Sequence, residues 1–293
     1  MPLLDLPENE PGLNFDKYGD AITQFINEAD PPQLTIGIFG QYGTGKSTLI
    51  QSIQNKLNSS KSFSKNVADT LPNTVTVNFQ AWRHDNENDL MIPFLISIRE
   101  HLKASDPNFD EGILENIWTT CTAIAYATKF NFGLLEIEAS KALDQDNKKE
   151  KIDEYTNAYS DIVSYLKNIT QDEKGTVIRR LIVFIDDLDR CQPEKALRLL
   201  EGIKAFTDIK GFIFVLALDA RVIESFVSKK YGDAFNISGK EYIEKMFQVS
   251  FMLPEPSKEL LLEAVSKLTQ TFSTDITGLL KESLEIKRLN IRQ

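Results

Sequence analysis

Eight consecutive residues near the N-terminus have the composition of a loop that holds phosphate groups. Residues 40–47 read Gly-Gln-Tyr-Gly-Thr-Gly-Lys-Ser and fit the pattern G-x-x-x-x-G-K-[ST] in full. Glycines let backbone N–H groups converge on an anion, and the positive end of a following helix adds to the attraction. The lysine supplies a point charge for the β- and γ-phosphates, and the serine supplies a hydroxyl ligand for Mg²⁺. The segment therefore predicts a nucleoside triphosphate site with bound Mg²⁺.

The sequence on either side of this loop has the strand-loop-helix context that the pattern requires. An apolar run at residues 34–39 precedes the loop, and a helical pattern at residues 48–53 follows it. Lys46 is predicted to act in catalysis as well as in binding, and Ser47 is predicted to bind the metal. The residues predicted to contact the nucleotide are Gly40, Tyr42, Gly43, Thr44, Gly45, Lys46, Ser47 and Thr48.

Two adjacent carboxylates end a second apolar run. Asp186 and Asp187 follow residues 181–185, and ligands of open α/β sheets bind at the carboxyl ends of the strands. We predict that Asp186 holds Mg²⁺ through water. Asp187 is then placed to orient or deprotonate the water that attacks the γ-phosphate, and a helix cap or loop carboxylate is the alternative for this residue.

Five short apolar runs, rich in β-branched and aromatic residues, predict strands. They alternate with segments of helical spacing, which predicts a parallel sheet built from βαβ units. One run lies between the phosphate-loop strand and the acidic strand, as in the ATPase branch that places another strand between those two. We therefore predict an α/β P-loop NTPase fold with strand order 5-1-4-3-2, numbered along the chain. The five runs are residues 34–39, 74–79, 181–185, 212–218 and 247–253.

The base-reading motif of GTPases does not occur in the sequence. Residues 147–150 do not fit the pattern Asn-Lys-x-Asp, and the two matches to D-x-x-G, at residues 172–175 and 208–211, precede their strands. Adenine is therefore the predicted base, and ATP and Mg²⁺ are the predicted cofactors.

The spacing of the runs also predicts the domain organisation. About 100 residues separate the second and third strands, more than a single crossover needs. A helical insertion is therefore expected over about residues 106–170. After Pro256 the pattern is helical to the end, which predicts a small, incomplete helical lid over residues 256–293 behind a core at residues 12–255.

Composition limits the partners and the compartment. The net charge of −10 and the isoelectric point near 4.9 do not indicate nucleic acid or an anionic membrane as a partner. Two cysteines cannot form a disulfide framework or a four-cysteine metal site. His84 and His101 lack metal-ligand spacing. No signal peptide pattern and no apolar stretch of membrane-spanning length is evident, so a cytoplasmic protein is expected.

Several blocks of the sequence resemble those of a known family. Residues 185–191, Ile-Asp-Asp-Leu-Asp-Arg-Cys, look like the I-D-D-L-D-R-C signature of the KAP P-loop NTPases. Residues 79–83 resemble the family's F-N-A-W-x segment, with Gln80 in place of the usual Asn. The blocks at residues 193–204, 214–219 and 241–248 resemble further parts of the family pattern. The resemblance covers about residues 12–255.

This resemblance implies a STAND/AAA-like ATPase core. Family members often carry membrane helices between the second and third strands, and this chain looks like a soluble member because its insertion has no evident span. Bacterial members are associated with phage exclusion, which implies a role in anti-phage defence. The expected partner is a second copy of the chain or a partner protein subunit.

The predicted ATPase fold also gives roles to two polar residues that follow Asp186 and Asp187 in the sequence. Arg190 is predicted to be catalytic, reaching a phosphate or bracing a neighbouring subunit. The alternative is an ion pair with Asp189 or Glu194. Asp219 ends the fourth strand, at the position of a sensor for the γ-phosphate, and is predicted to contact the nucleotide. A cap for the following helix is the alternative for Asp219.

Three further residues have weaker assignments. Lys245 precedes the fifth strand, where related ATPases place a basic finger across a subunit interface, and a solvated lysine is the alternative. Arg292 resembles a second sensor from the helical lid. Trp82 is expected in the core rather than as a platform for the base.

Two functions fit these residues. The first is an ATP-hydrolysing switch, in which the γ-phosphate tips the lid or the insertion between two states that partners read. The second is a nucleotide-gated assembly scaffold with little or no hydrolysis. Asp187 favours the scaffold, because many hydrolytic members of the superfamily carry the longer Glu at this position. The sequence also does not assure an arginine from a neighbouring subunit, which favours the scaffold as well. A small-molecule kinase is a third possibility, for which no substrate-binding residues are evident.

Overall fold

One five-stranded parallel sheet organises the chain. The computed structural model describes residues 15–63, 73–107, 160–235 and 238–254, together with residues 109, 110, 112, 115–117 and 119. The strand order is β2-β3-β4-β1-β5 and every neighbouring pair is parallel, which confirms the predicted order. The strands are β1 (Leu34–Phe39), β2 (Asn73–Gln80), β3 (Arg179–Asp186), β4 (Phe212–Leu218) and β5 (Val249–Met252).

The central strands are apolar on both faces because both faces of the sheet are covered. Successive side chains of a strand point to opposite faces. In β3, Leu181 and Val183 belong to one core cluster, whereas Ile182 and Phe184 belong to the other. This explains why β3 and β4 show a continuous apolar run rather than an alternating pattern.

Helices form the two outer layers. Phe15, Ile22, Leu49 and Ile53 of α1 and α2 pack against one face of the sheet. Residues of five more helices in the described part of the chain pack against the opposite face. These seven helices are α1 (Phe15–Glu28), α2 (Lys46–Phe63), α3 (Met91–Ser105), α4 (residues 160–170), α5 (Pro193–Phe206), α6 (Ala220–Phe235) and α7 (Gly239–Met246).

The predicted insertion and lid lie largely outside this description. Helix α3 ends just before the predicted insertion, α4 lies at the C-terminal end of the insertion, and residues 120–159 between them lie outside the described residues. The predicted lid at residues 256–293 also lies outside them. Within the part of the chain that the structure describes, no helix combines the length and apolar character that crossing a bilayer requires.

Three strand ends bring the predicted site residues to one edge of the sheet. Phe39 of β1 is in register with Leu218 of β4, and the Gly40 N–H donates to the Leu218 carbonyl at 3.3 Å. Ile185 of β3 is in register with Leu216. The phosphate loop, the acidic pair and the residue after β4 therefore leave the sheet side by side, as the carboxyl ends of parallel strands do.

Candidate functional site

The backbone of the phosphate loop requires glycine at two positions. Gly43 has φ 79° and Gly45 has φ 89°, both in the left-handed region that most side chains disfavour. At Gly45 a Cβ atom would also lie 2.5 Å from Cζ of Phe15, the first described residue of α1. The loop is therefore fixed both by its own dihedral angles and by close packing against α1.

We expect Gly45→Ala to destabilise the chain more than Gly175→Ala. Both sites have positive φ, so both substitutions carry strain of about 1–2 kcal/mol. Only Gly45→Ala adds a steric clash of about 1–3 kcal/mol, because the nearest atom to a Cβ at Gly175 is the Gln171 Oε1 at 3.9 Å. Urea unfolding of the two variants measures the difference. Equal losses of unfolding free energy would show that the Phe15 contact does not constrain the loop.

The Lys46 ammonium lies between the loop and the turn that follows β3. Its Nζ donates to the carbonyl oxygens of Gly40 at 2.9 Å and Gln41 at 3.1 Å. The same atom is 4.0 Å from Oδ2 of Asp189, and the Lys46 side chain is only 10% exposed. The charge is thus held at the position where phosphate oxygens can replace carbonyl oxygens as its acceptors.

Asp186 is a buried carboxylate at the end of β3. It is 6% exposed, and its Oδ1 accepts the N–H of Asp187 at 2.9 Å. Burial raises the pKa of Asp186, while a hydrogen bond with the Ser47 side chain, the Asp187 N–H and the Lys46 charge act in the opposite direction. Asp186, Ser47 and Lys46 are therefore close enough to share one ligand.

Asp186 and Ser47 suit Mg²⁺ in a nucleotide site. Among the described residues, no group of three or more His, Cys, Asp or Glu side chains is arranged to hold a metal ion by itself. Magnesium bound with a nucleotide takes only one or two protein oxygens and completes its shell with phosphate oxygens and water. A carboxylate and a hydroxyl on neighbouring elements match that requirement.

Asp187 has an unusual backbone conformation. It is the one non-glycine residue with positive φ in the described part of the chain, with φ 60° and ψ 23°. Its side chain makes no capping bond to the short helical turn Leu188–Arg190 that follows. Burial raises the pKa of Asp187 to about 6, and the Asp186 charge adds to this, while Arg190 opposes it. Strained conformations of this kind concentrate at functional sites.

Arg190 pairs with Asp187 and contacts two exposed aromatic rings. Its Nε lies 3.0 Å from the Asp187 Oδ1, whereas the predicted alternative named Asp189 or Glu194 as its partner. The guanidinium carbon lies 4.8 Å from the ring centroid of Tyr42 and 5.9 Å from that of Trp82.

The expectation that Trp82 lies in the core is wrong. Trp82 is 55% exposed, while its neighbour Ala81 is fully buried. The chain leaves β2 in a single short helical turn, Ala81–His84, so that Ala81 faces the core and Trp82 faces outward.

Asp219 lies beside the site, and its carboxylate is engaged by the helix that follows. It accepts the N–H of Arg221 at 3.1 Å and the Arg221 guanidinium at 2.7 Å, and this hydrogen bonding lowers the pKa of Asp219. These are the contacts of a helix cap. Its own N–H donates to the Asp189 Oδ2 at 2.7 Å.

Of the two remaining predicted residues, Lys245 is not brought to the site. Lys245 lies exposed on α7, with its carbonyl accepting from the Lys204 Nζ at 3.2 Å. Arg292 lies outside the described residues. A wide groove between α1 and α2, where Lys56 pairs with Asp20 at 2.6 Å, contains none of the predicted site residues.

A small cavity joins most of the predicted residues. The Thr48 hydroxyl is buried beside it and has no hydrogen-bond partner within the described part of the chain, which leaves a polar atom for a ligand. Asp189 is the lining residue that had no predicted role of its own, and the available signal was its place in the short acidic segment that directly follows β3. The lining residues are Tyr42, Gly43, Gly45, Lys46, Ser47, Thr48, Asp186, Asp187, Asp189 and Arg190.

Gly40 and Thr44 shape the loop from behind the cavity. The Gly40 carbonyl accepts from Lys46, and the Thr44 hydroxyl donates to the Gln41 carbonyl at 2.8 Å. A Cβ at Gly40 would lie 2.5 Å from the Thr44 Oγ1, so the two residues fit closely together.

Comparison with known proteins identifies a family match over most of the chain. Residues 15–286 match the sequence model of the KAP family P-loop domain. The phage T7 exclusion protein of Escherichia coli K12 is 24% identical over 250 residues, which are 75% of this chain and 30% of that protein. This chain therefore spans less than a third of that relative's length.

Two other proteins are similar over part or most of the chain. The uncharacterized protein MJ0182 of Methanocaldococcus jannaschii is 26% identical over 168 residues, which are 47% of this chain and 86% of that protein. The solved structure of the Aeropyrum pernix ORC2 protein aligns with 90% of this chain and 54% of that chain, at 14% identity and a TM-score of 0.41.

Proposed function

Because this chain belongs to the KAP family of P-loop domains, we propose that it binds ATP with Mg²⁺, hydrolyses it and acts as a conformational or assembly switch. The observation that supports this best is that Lys46, Ser47 and Asp186 line one cavity at the carboxyl edge of the sheet. A fixed cation, a hydroxyl and a buried carboxylate are the groups that recur where a γ-phosphate is bound and cleaved.

Each group has a distinct task in this proposal. Lys46 exchanges the carbonyl oxygens of Gly40 and Gln41 for phosphate oxygens. Ser47 and, through water, Asp186 would hold Mg²⁺, and the metal would supply positive charge to neutralise the phosphate oxygens. Asp187 orients the attacking water and accepts its proton, because its carboxylate lines the same cavity as Lys46.

A nucleotide-gated scaffold with little hydrolysis is the second candidate. The ion pair of 3.0 Å between the Arg190 Nε and the Asp187 Oδ1 favours it. A base that is paired with a guanidinium is a poorer proton acceptor, so turnover requires Arg190 to leave Asp187. If the chain is a hydrolysing switch, a second copy or a partner subunit draws Arg190 away from Asp187. If the chain is a scaffold, the ion pair between Arg190 and Asp187 persists.

Phosphate release by size-separated fractions distinguishes the two candidates. ATP and GTP are supplied with Mg²⁺ or with EDTA to monomer and oligomer fractions, and binding is measured in parallel. The switch predicts release from ATP that needs Mg²⁺ and is faster in the oligomer fraction. Binding without release in every fraction supports the scaffold. Failure to bind ATP in any fraction refutes both candidates.

The domain organisation and the biological setting are part of the proposal. We assign residues 12–255 to the ATPase core, with the helical insertion over about 106–170, and residues 256–293 to a helical lid. The similarity to a phage exclusion protein supports anti-phage defence as the setting. Plaque counts on cells that carry the intact gene or a Lys46→Ala copy test this, and equal counts on both would contradict it.

A further inference from the structure

One carboxylate in the cavity connects three elements and has no role in the scheme above. Asp189 lies in the short helical turn Leu188–Arg190 after β3, and its side chain is 12% exposed. Its Oδ2 accepts the N–H of Asp219 at 2.7 Å, and the same oxygen is 4.0 Å from the Lys46 Nζ. Arg190 does not compete for it, because that guanidinium pairs with Asp187.

The contact with Asp219 reaches the start of a helix. The carbonyl oxygen of Asp219 accepts the N–H groups of Val222 at 3.1 Å and Ile223 at 3.3 Å, which form the first turn of α6. The helix α6 packs against α5 and α7 through the same core cluster as β4. A displacement of Asp219 therefore acts directly on α6.

On the basis of the proposed function, we propose that Asp189 is a positioning residue that couples Lys46 to the first turn of α6. When a triphosphate draws the Lys46 ammonium from the loop carbonyls, Asp189 loses its nearest cation but keeps the Asp219 N–H. The γ-phosphate then repels the carboxylate, and because Asp189 already holds the Asp219 N–H at 2.7 Å, the two residues move together. The state of the phosphate site is thereby transmitted to α6.

The charge of Asp189 also makes the site sensitive to the number of phosphates. The Asp189 carboxylate lies 4.0 Å from the Lys46 Nζ. Its negative charge therefore repels a γ-phosphate bound at Lys46 more than it repels the β-phosphate of ADP. Removing this charge is therefore expected to tighten ATP binding about five-fold and to change ADP binding less than about two-fold. Coupling is reciprocal, so the same charge that weakens ATP binding is what lets ATP act on α6.

Two substitutions separate the charge from the hydrogen bond. Asp189→Asn keeps an oxygen that accepts the Asp219 N–H but removes the attraction to Lys46. Asp189→Ala removes both. Asp172→Asn is the matched control, because the Asp172 Oδ1 accepts the N–H groups of Lys174 at 2.9 Å and Thr176 at 2.8 Å in an exposed turn outside the cavity.

The experiment measures ATP and ADP dissociation constants and amide hydrogen exchange over residues 218–226, with and without ATP and Mg²⁺. In the native chain we expect ATP to change exchange in this segment. In Asp189→Asn we expect tighter ATP binding, native exchange without nucleotide and no change on adding ATP. In Asp189→Ala we expect fast exchange under both conditions, and in the control native behaviour throughout.

The results distinguish this inference from the proposed function. A native ratio of ATP to ADP affinity in Asp189→Asn, together with a native exchange response to ATP, would overturn the coupling role while leaving ATP binding intact. A merely structural Asp189 predicts that same pair of results. If the native chain itself does not bind ATP, the proposed function fails and the coupling role fails with it.

Discussion

Lys46→Ala is expected to weaken ATP binding by about 100-fold or more. The ammonium makes charge-assisted hydrogen bonds, each worth about 1.5–3 kcal/mol when a charged group takes part. Alanine also removes the one cation on the loop side of the cavity among the described residues that line it. The fold is expected to persist, because the Lys46 ammonium donates to the Gly40 and Gln41 carbonyls of its own loop and is 4.0 Å from Asp189, and none of these residues belongs to the core clusters. Titration calorimetry with ATP and Mg²⁺ measures the effect.

Lys56→Ala is the matched control for this substitution. Lys56 lies on the same helix, and its Nζ is 2.6 Å from the Asp20 Oδ1 and 3.6 Å from the Asp16 Oδ1, on the side facing α1. It removes one positive charge from α2 without touching the cavity, so ATP affinity is expected to change less than about two-fold. Equal losses in both variants would mean that bulk charge, and not the loop, attracts the nucleotide.

Asp187→Asn is expected to lower phosphate release about 100-fold or more while leaving ATP binding nearly unchanged. General base catalysis contributes about 10²- to 10⁴-fold, and an amide cannot accept the proton. Asparagine suits this position because it tolerates the left-handed conformation that Asp187 adopts at φ 60°. Its side-chain oxygen can still accept from the Arg190 guanidinium, so the local structure is expected to remain intact.

Binding and turnover are measured on the same Asp187→Asn preparation. Native ATP affinity with residual phosphate release is the expected pair of results. Phosphate release at the native rate would remove Asp187 from the role of base. The Asp172→Asn variant, an Asp in a turn outside the cavity, is expected to match the native chain in both measurements and thus controls for loss of an acidic side chain.

The edge of the sheet at which the site forms could be predicted from the order of residue types. A run of five apolar residues, followed directly by Asp186 and Asp187, identifies a buried strand and its carboxyl end. The pattern around Lys46 identifies a second strand end. Since parallel strands share the same polarity, these two ends lie at one edge wherever the strands stand in the sheet.

The contacts within the site depend on features that residue types do not encode. The pairing of Arg190 with Asp187 follows from the positive φ of Asp187, which turns the chain back on itself directly after β3. The contact of Asp189 with the Asp219 N–H requires β3 and β4 to be neighbours. It also requires the register that sets Ile185 opposite Leu216. Asp189 and Asp219 are 30 residues apart, so no local spacing could indicate their contact. Arg190 and Asp187 have the i, i+3 spacing of a helical turn, but Asp189 and Glu194 are also near Arg190 in the sequence, and residue types alone do not decide among the three.

The exposure of Trp82 has a similar cause. A large aromatic residue after an apolar strand is most often buried. Here the strand ends at Gln80 and the next residue, Ala81, occupies the buried position. Successive side chains alternate between the buried and the exposed side, so a shift of one residue at the strand end decides whether Trp82 is buried or exposed. The residue type alone does not determine where the strand ends.

The measurement that tests the central claim most directly is ATP binding to the native chain and to Asp186→Asn, each in Mg²⁺ and in EDTA. If the nucleotide lies on the loop around Lys46 with its metal held at Asp186, Mg²⁺ raises the native affinity by about tenfold or more. Asp186→Asn then loses this gain and retains the metal-free affinity. An equal gain from Mg²⁺ in both proteins would contradict the account, because the metal and the nucleotide would then meet elsewhere.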